Sequence, residues 1–300
     1  MAKLKSKDSP KHPLAEVFGH KTTDQSAKAK KHRDDELCPY NNIVPKCTKD
    51  KKDAPLAVCS INHSDEAVII CPVRFREKWK ISQDAAEFFF GADKNYTALK
   101  EVRLKEKTGK SAGNIDLVIA KHDSKGKVLD FGAVEVQAVY VSGNIRNPFE
   151  YYMENPSKRG SMDWTKEKNY PNPDFLSSSR KRLAPQMIYK GQILRAWGKK
   201  LAVVVDRPFF NTLPDIKRTS KEKAEVCWLV YDLTENKAKT KYELTLVERV
   251  YTSWDDVFKS IANPDIGDVS EFISALENKL SAIISNSNFV KNEVHDWASI

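Results

Sequence analysis

The stretch Gly113–Val139, GNIDLVIAKHDSKGKVLDFGAVEVQAV, decides the fold. It holds two apolar runs, Ile115–Ala120 and Phe131–Val141, separated by a polar segment containing Ser124, Lys125 and Gly126. Alternating polarity and β-branched content predict two strands, and the glycine-bearing break predicts a hairpin. A turn centred between Lys125 and Gly126 sets Asp116 opposite Glu135 in antiparallel register. Side chains two apart share a strand face, so Glu135 and Gln137 project together while Val134, Val136 and Ala138 point the other way. Two carboxylates facing each other between apolar strands repel unless a proton or a cation lies between them. A divalent ion with oxygen ligands is the simplest resolution.

Upstream, Tyr96–Lys107 is expected to be a helix with Leu99, Val102 and Leu104 apolar. Glu101 is its best-placed acid, with Glu106 as the fallback. An ion pair between Glu101 and Lys105, four residues on, is the plainer explanation of that residue. The spacing D…ExQ on a hairpin is the active-site pattern of the PD-(D/E)XK nuclease fold, with Gln137 where most members carry Lys. The wording around it is more specific. CPYNNIVPKCTKDKKDAPLAVCS, IICPVRFREKW, DAAEFFFG, NIDLVIA and VEVQAVYVSGN together resemble the NotI restriction-endonuclease family. The resemblance runs from about Cys38 to the end of the hairpin, then more loosely to the C-terminus. The length of 300 residues is that of a shorter relative, of the EagI kind.

The resemblance implies an α/β (α+β) fold, a mixed sheet flanked by helices built on a PD-(D/E)XK core. It implies Glu101, Asp116, Glu135 and Gln137 as catalytic residues, with Mg²⁺ on Asp116, Glu135 and Glu101. It further implies a homodimer that cuts palindromic, GC-rich duplex DNA at a GGCC-containing site with 5′ overhangs. A cognate DNA methyltransferase is then the expected genetic partner, and the bacterial cytoplasm the expected compartment.

Four of the five cysteines, Cys38, Cys47, Cys59 and Cys71, fall in one segment, and Cys227 lies in the apolar run VCWLVYDL and reads as core. The four are isolated rather than paired as CxxC. Four thiolates can bind zinc or iron tetrahedrally, and a set of buried free thiols is the alternative. His63 is a further conceivable ligand, more naturally a loop residue. Resemblance to the family implies a structural four-cysteine iron site. Residues 34–80 are therefore expected to form a small metal-binding module, and residues 81–300 the nuclease domain. Lys49, Lys51, Lys52, Arg74 and Arg76 of the module are candidates to face DNA, or to form a solvated charged surface.

The net charge of +9 suits a polyanionic partner without demanding one. No apolar run approaches the ~18 residues of a membrane span, and no signal-peptide core is evident, so a cytosolic chain is expected. Residues 1–33 are rich in Lys, Ser and Asp and read as a loosely held basic arm, with Leu14–Phe18 as a short ordered anchor. SQDAAEFFFG, Ser82–Gly91, reads as a short helix with Ser82 as cap.

Residues 141–180 lack periodicity, and a connection that long is either functional or disordered. Arg146 and Arg159 are candidates to read guanine, and Asn144 or Asn147 adenine, although phosphate contact is commoner for any one residue. Arg180, Lys181 and Arg182 would begin a helix bearing Leu183, Met187, Leu194 and Trp197, another DNA contact. Leu201–Val205, Glu225–Leu233 and Tyr242–Val250 read as strands, Trp254–Ile261 and Val269–Ile284 as amphipathic helices, the apolar stripe of the second being more often core than dimer interface. Two other functions share these features: a repair or junction-resolving nuclease of the same fold, and an inactive metal-stabilised DNA-binding module. Fragment patterns from a plasmid digest discriminate the three.

Overall fold

The computed structural model describes residues 10–41, 44–51, 54–93, 95–238, 240–262 and 266–285. Lys52 and the first nine residues of the expected basic arm lie outside them. The chain divides into two units, Met1–Ile261 and Ala262–Ile300.

The described part of the arm is ordered, contrary to expectation. Leu14–Val17 (β1) pairs with His20–Lys21 (β2), and Ala27–Asp34 (α1) follows, capped by the Ser26 side chain. Leu14–Phe18 is the ordered anchor read from the sequence, and its β1 residues are all buried; the order extends past it into β2 and α1. After the ribbon Asp50–Lys51 (β3) and Ala54–Pro55 (β4), the hairpin Val58–His63 (β5) and Glu66–Ile69 (β6) takes up β1 as a partner. The result is a four-stranded sheet in the order β2-β1-β5-β6.

Lys80–Phe90 (α2) ends at Gly91, whose φ of 64° closes the helix where an L side chain would be strained. Its N-cap position is Trp79, not Ser82, which lies buried inside the helix. Three antiparallel strands follow: Tyr96–Lys105 (β7), Ser111–His122 (β8) and Val128–Val136 (β9). The helix expected over Tyr96–Lys107 is thus a strand. Its burial alternates residue by residue, as an edge strand with one covered face requires.

The segment expected to be structureless contains Tyr140–Ser142 (β10), Arg146–Glu154 (α3), Pro156–Arg159 (α4) and Asn172–Asp174 (β11). Buried Phe149 and Tyr152 anchor α3, and β10 pairs with β11. A π-helical turn, Ser177–Leu183, runs into Ala184–Ala196 (α5), where Pro185 sits in the first turn, the place a helix tolerates it. Leu201–Asp206 (β12), Arg207–Phe210 (α6), Val226–Glu235 (β13), Tyr242–Thr252 (β14) and Trp254–Ala262 (α7) complete the first unit.

These strands form a mixed six-stranded sheet, β14-β13-β12-β9-β8-β7, in which β12 runs parallel to both β9 and β13. β12 reads as an unbroken apolar run because both faces are covered. Val203 and Val205 join a cluster with Met187 and Leu194 of α5 and Trp254 of α7. Ala202 and Val204 join the cluster of Ile81, Ala85 and Phe88 of α2. Gly132 lets α2 approach β9, because a Cβ there would stand 2.4 Å from the Phe89 ring. Cys227 is fully buried in β13, as expected, and burial pushes its thiol up to about 12. In the second unit, Val269–Ile284 (α8) has the expected bounds, but its stripe is not core: Phe272 is 65% exposed and no residue of α8 is buried.

Asp206 ties the four-stranded sheet to the six-stranded one. Its carboxyl, 1% exposed, accepts the Ile69 amide of β6 at 2.7 Å and caps α6 through the Phe209 amide at 3.1 Å. Burial pushes its pKa up to about 7. A raised carboxyl pKa favours the folded state while the group is protonated, and that contribution is lost as pH rises through 7. The wild type is expected to lose on the order of 2–4 kcal/mol from this group between pH 4 and pH 8. Asp206→Asn should flatten that part of the curve in denaturant titrations, and an unchanged pH slope would refute the assignment.

Candidate active site

The hairpin has the register read from sequence: Leu117 pairs with Val134, Val118 with Ala133 and Lys121 with Asp130. One residue beyond Leu117 and Val134, Asp116 and Glu135 meet. Asp116 Oδ2 accepts the Val136 amide at 2.8 Å. Glu135 is 2% exposed and hydrogen-bonded to Asp116. Burial first, then the neighbouring Asp116 charge, pushes the Glu135 pKa up to about 8. Burial also raises that of Asp116. The pair thus holds a proton near neutrality, one of the two resolutions that facing carboxylates allow.

The other resolution is also present. Lys190 of α5, itself buried, donates to both Glu135 oxygens at 2.9 Å and to the Asn114 carbonyl at 2.5 Å. Sequence reading missed this residue. The available signal was a lysine at helical spacing on the stripe of Leu183, Met187 and Leu194, where an apolar residue belongs. Gln137, 8% exposed, follows β9; its amide donates to the Ala138 carbonyl at 2.6 Å, and its backbone NH to Val204.

Glu101 arrives by a different route from the one expected. It stands on β7, not a helix, between the pairs Lys100–Leu117 and Val102–Ile115, and so level with Asp116 on the neighbouring strand. Glu101, Asp116 and Glu135 therefore occupy one row across three adjacent strands. Glu101 is exposed and has φ of 53°, a left-handed backbone unusual for Glu. Such conformations concentrate at functional sites. Glu106 lies at the hairpin end of β7 and receives the Tyr189 hydroxyl. Lys121 pairs with Asp93 at 2.7 Å, and Ser142 Oγ donates to the Asn172 carbonyl.

Cys38, Cys47, Cys59 and Cys71 line one small cavity of about 10 Å³ together with Tyr40 and Lys49. All are free thiols. Burial raises the pKa of Cys38 and Cys59, and that of Cys47 to about 11. Among the described residues, no group of three or more His, Cys, Asp or Glu side chains is arranged to hold a metal ion. Neither a four-thiolate shell nor an Asp116–Glu135–Glu101 triad exists as a formed coordination site. The four donors do converge on one space large enough for a single small occupant, so the residue set, though not its present geometry, fits a metal. His63 is elsewhere, edge-on to Phe175.

The expected DNA contacts divide. Arg180, Lys181 and Arg182 are exposed beside α5, with Arg182 over the Tyr140 ring. Arg146 is paired with Asp50 and Glu150; Arg159 stacks on Tyr151 and pairs with Glu154. Asn144 caps the turn into α3 by accepting the Asn147 amide. Lys49 is bonded to the Val58 carbonyl, and Arg74 is fully buried between Glu16 and Glu77, which removes both from a DNA-facing role.

Among the described residues no helix is long and apolar enough to cross a membrane. No curated protein is matched by the chain. The sequence model described as restriction endonuclease NotI matches residues 16–244, a span that takes in the four cysteines, the carboxylate row and Lys190. The chain belongs to the NotI restriction endonuclease family and is a type II site-specific deoxyribonuclease.

Proposed function

We propose that this enzyme hydrolyses both strands of duplex DNA, with Mg²⁺, at a palindromic, GC-rich site containing GGCC, leaving 5′-phosphates on 5′ overhangs. The observation carrying the reading is the pairing of half-buried Asp116 with buried Glu135 on a hairpin whose neighbouring strand brings Glu101 level with them. Residues 81–300 act as a nuclease domain on a PD-(D/E)XK core, with residues 141–180 as the DNA-reading insertion. Asp116 and Glu135 hold the divalent ion, with Glu101 beside them. When bound, such an ion lowers the pKa of water and neutralises charge on the phosphate and leaving oxygen. Gln137 orients the attacking water through its amide, which can donate and accept but carries no charge. Arg180, Lys181 and Arg182 lie on phosphates, and Arg146 and Arg159 exchange their carboxylate partners for DNA.

A palindrome calls for a two-fold enzyme, so the active species is a homodimer. The exposed apolar stripe of α8 is a surface that a second copy would cover. A cognate methyltransferase protects the host's own sites. The deciding experiment is digestion of a fully sequenced GC-rich DNA with Mg²⁺, followed by sequencing of fragment ends. One recurring palindrome establishes the activity, site and overhang together. Cutting only at branched junctions would replace this reading with a resolving enzyme, and binding without cutting, in Mg²⁺ or Mn²⁺, with an inactive module.

Residues 34–80 form the metal-binding module, with Cys38, Cys47, Cys59 and Cys71 holding iron or zinc. This reading is supported by their convergence on one cavity. Four thiolates leave no open position, so the metal would be structural, and its binding energy would serve folding. Elemental analysis of the purified protein should return one iron or zinc per chain. Cys59→Ser should lose most of it and lower the melting temperature; a wild type without stoichiometric metal would end the proposal.

A further inference from the structure

We propose that Lys190 is the working cation of the active site: it occupies Glu135 in the metal-free protein and serves the scissile phosphate once Glu135 is engaged by a divalent ion. The inference rests on the reading of Asp116 and Glu135 as metal ligands. It begins from an imbalance in the sequence pattern. Gln137 stands where a lysine is common, and an amide supplies no charge. In the structure its amide is turned onto the Ala138 carbonyl, so it does not bridge the carboxylates either.

The missing charge comes from a different element. Lys190 Nζ is equidistant from both Glu135 oxygens, at 2.9 Å, and its third donor goes to the Asn114 carbonyl. Its stem passes Gly113, where a Cβ would stand 3.5 Å from Lys190 Cε. Gly113 has φ of 100°, a conformation that disfavours ordinary side chains, although a Cβ there would make only ordinary contact with the Lys190 stem. Arg76 also acts on Asp116, at longer range; Lys190 is the cation bonded to the pair.

A structural explanation for Lys190 is weak on energetic grounds. Its helical position faces the core, flanked by buried Met187 and Leu194, and 8% of the residue is exposed. An apolar side chain of similar length would anchor α5 without desolvating a charge, and replacing buried ion pairs by apolar residues is often neutral or stabilising. Lysine suits a mobile role better than arginine, because four rotatable carbons carry a compact charge through a small arc.

Two opposed effects follow when the charge is removed. Lys190 competes with a divalent ion for Glu135, so its loss should strengthen metal binding. Lys190 also stabilises charge on the phosphate, so its loss should slow cleavage. A residue that merely anchors the helix gives neither this combination nor a dependence on charge.

The test uses the full-length protein with Lys190→Met and Lys190→Arg, and Asp116→Ala as the control for the underlying site. Calorimetric titration of Mg²⁺ into DNA-free Lys190→Met should show affinity about tenfold or more above wild type. Single-turnover cleavage of a cognate duplex by the same variant should fall by about 10²-fold or more. Lys190→Arg keeps the charge and should stay close to wild type in metal affinity while retaining a measurable fraction of the rate. Wild-type cleavage by Lys190→Met with Asp116→Ala inactive overturns the role of Lys190 and leaves the site intact. Weaker metal binding by Lys190→Met overturns it as well, assigning Lys190 to the positioning of Glu135. If Lys190→Met fails to fold, a Lys190→Arg protein that folds and has lost all cleavage is equally fatal. Wild-type cleavage by Asp116→Ala would instead overturn the site itself.

Discussion

Asp116→Ala is expected to reduce cleavage by at least about 10³-fold while leaving specific DNA binding in Ca²⁺ within a few-fold of wild type. Asp116 is the acid of the row that faces both neighbours, Glu101 on one side and Glu135 on the other. Loss of hydrogen-bonding groups around a metal ligand already costs 10–100-fold, and loss of a ligand costs more. The alanine variant carries a second defect, because the Val136 amide loses the acceptor it finds at 2.8 Å. A buried amide left unpaired costs about 1–3 kcal/mol. Asp116→Asn is therefore the sharper variant: its amide oxygen can still accept from Val136, and only the charge is gone. Both variants should be equally inactive, with the asparagine form melting closer to wild type. The Asp116 charge is one of the causes holding Glu135 protonated, so its removal should also lower the Glu135 pKa. Single-turnover assays on a cognate duplex, with binding followed by anisotropy, decide the matter. A pure Asp116→Ala protein that cleaves at the normal rate would move the active site elsewhere.

That prediction was available from the sequence, and others were not; the reasons are physical. The β8–β9 hairpin was legible because both strands are internal and apolar, and the turn around Lys125 and Gly126 allowed one register that buried them. β12 was legible as an unbroken apolar run for the same reason. β7 was misread because it is an edge strand with one covered face. Its apolar Leu99 falls on the exposed face, 47% exposed, so polarity does not alternate as burial does and imitates helical spacing with Val102. Glu101 nonetheless stands level with Asp116 on the neighbouring strand.

Lys190 was invisible for another reason. Its meaning lies in a partner 55 positions away, and no local pattern carries that contact. In the N-terminal arm LAEVF was legible as a short anchor, and it pairs with Val58 and Ile61; the helix Ala27–Asp34 was not, because AKAKKHRD carries no apolar stripe. The four cysteines were legible as a convergent set from their number and spacing, whereas the arrangement around their cavity was not.

Arg74 gives the second large effect, and its direction separates two accounts of the same residue. As a lysine- and arginine-rich neighbourhood, Val73–Lys80 invites a DNA-contact reading. The structure buries Arg74 completely. Its Nε lies 3.0 Å from Glu16 Oε2, one terminal nitrogen 2.6 Å from Glu77, and the other donates to the Tyr242 carbonyl at 3.1 Å. The guanidinium also lies 4.4 Å from the ring centre of Tyr40, beside the cysteine cavity. Arg74 thus joins β1, the segment after β6, the cysteine loop and β14. Arg74→Met would leave Glu16, itself fully buried, with Ser60 Oγ as a remaining donor and no countercharge. Breaking one side of a buried pair costs about 3–5 kcal/mol, which for a unit of this size lowers the melting temperature by roughly 10 °C. Glu16→Leu with Arg74→Met should recover the part of the loss that comes from Glu16, because no charge is then left fully buried; Glu77, partly exposed, keeps the Leu244 amide. A phosphate contact behaves in the opposite way. Its loss weakens DNA binding and reduces the salt dependence, and leaves the melting temperature untouched. Thermal melts of the two single variants and the double variant, read beside salt-dependent binding, distinguish the accounts. An Arg74→Met protein that melts like wild type but binds DNA more weakly would return Arg74 to the DNA surface, and with it the charged face that the sequence alone had offered.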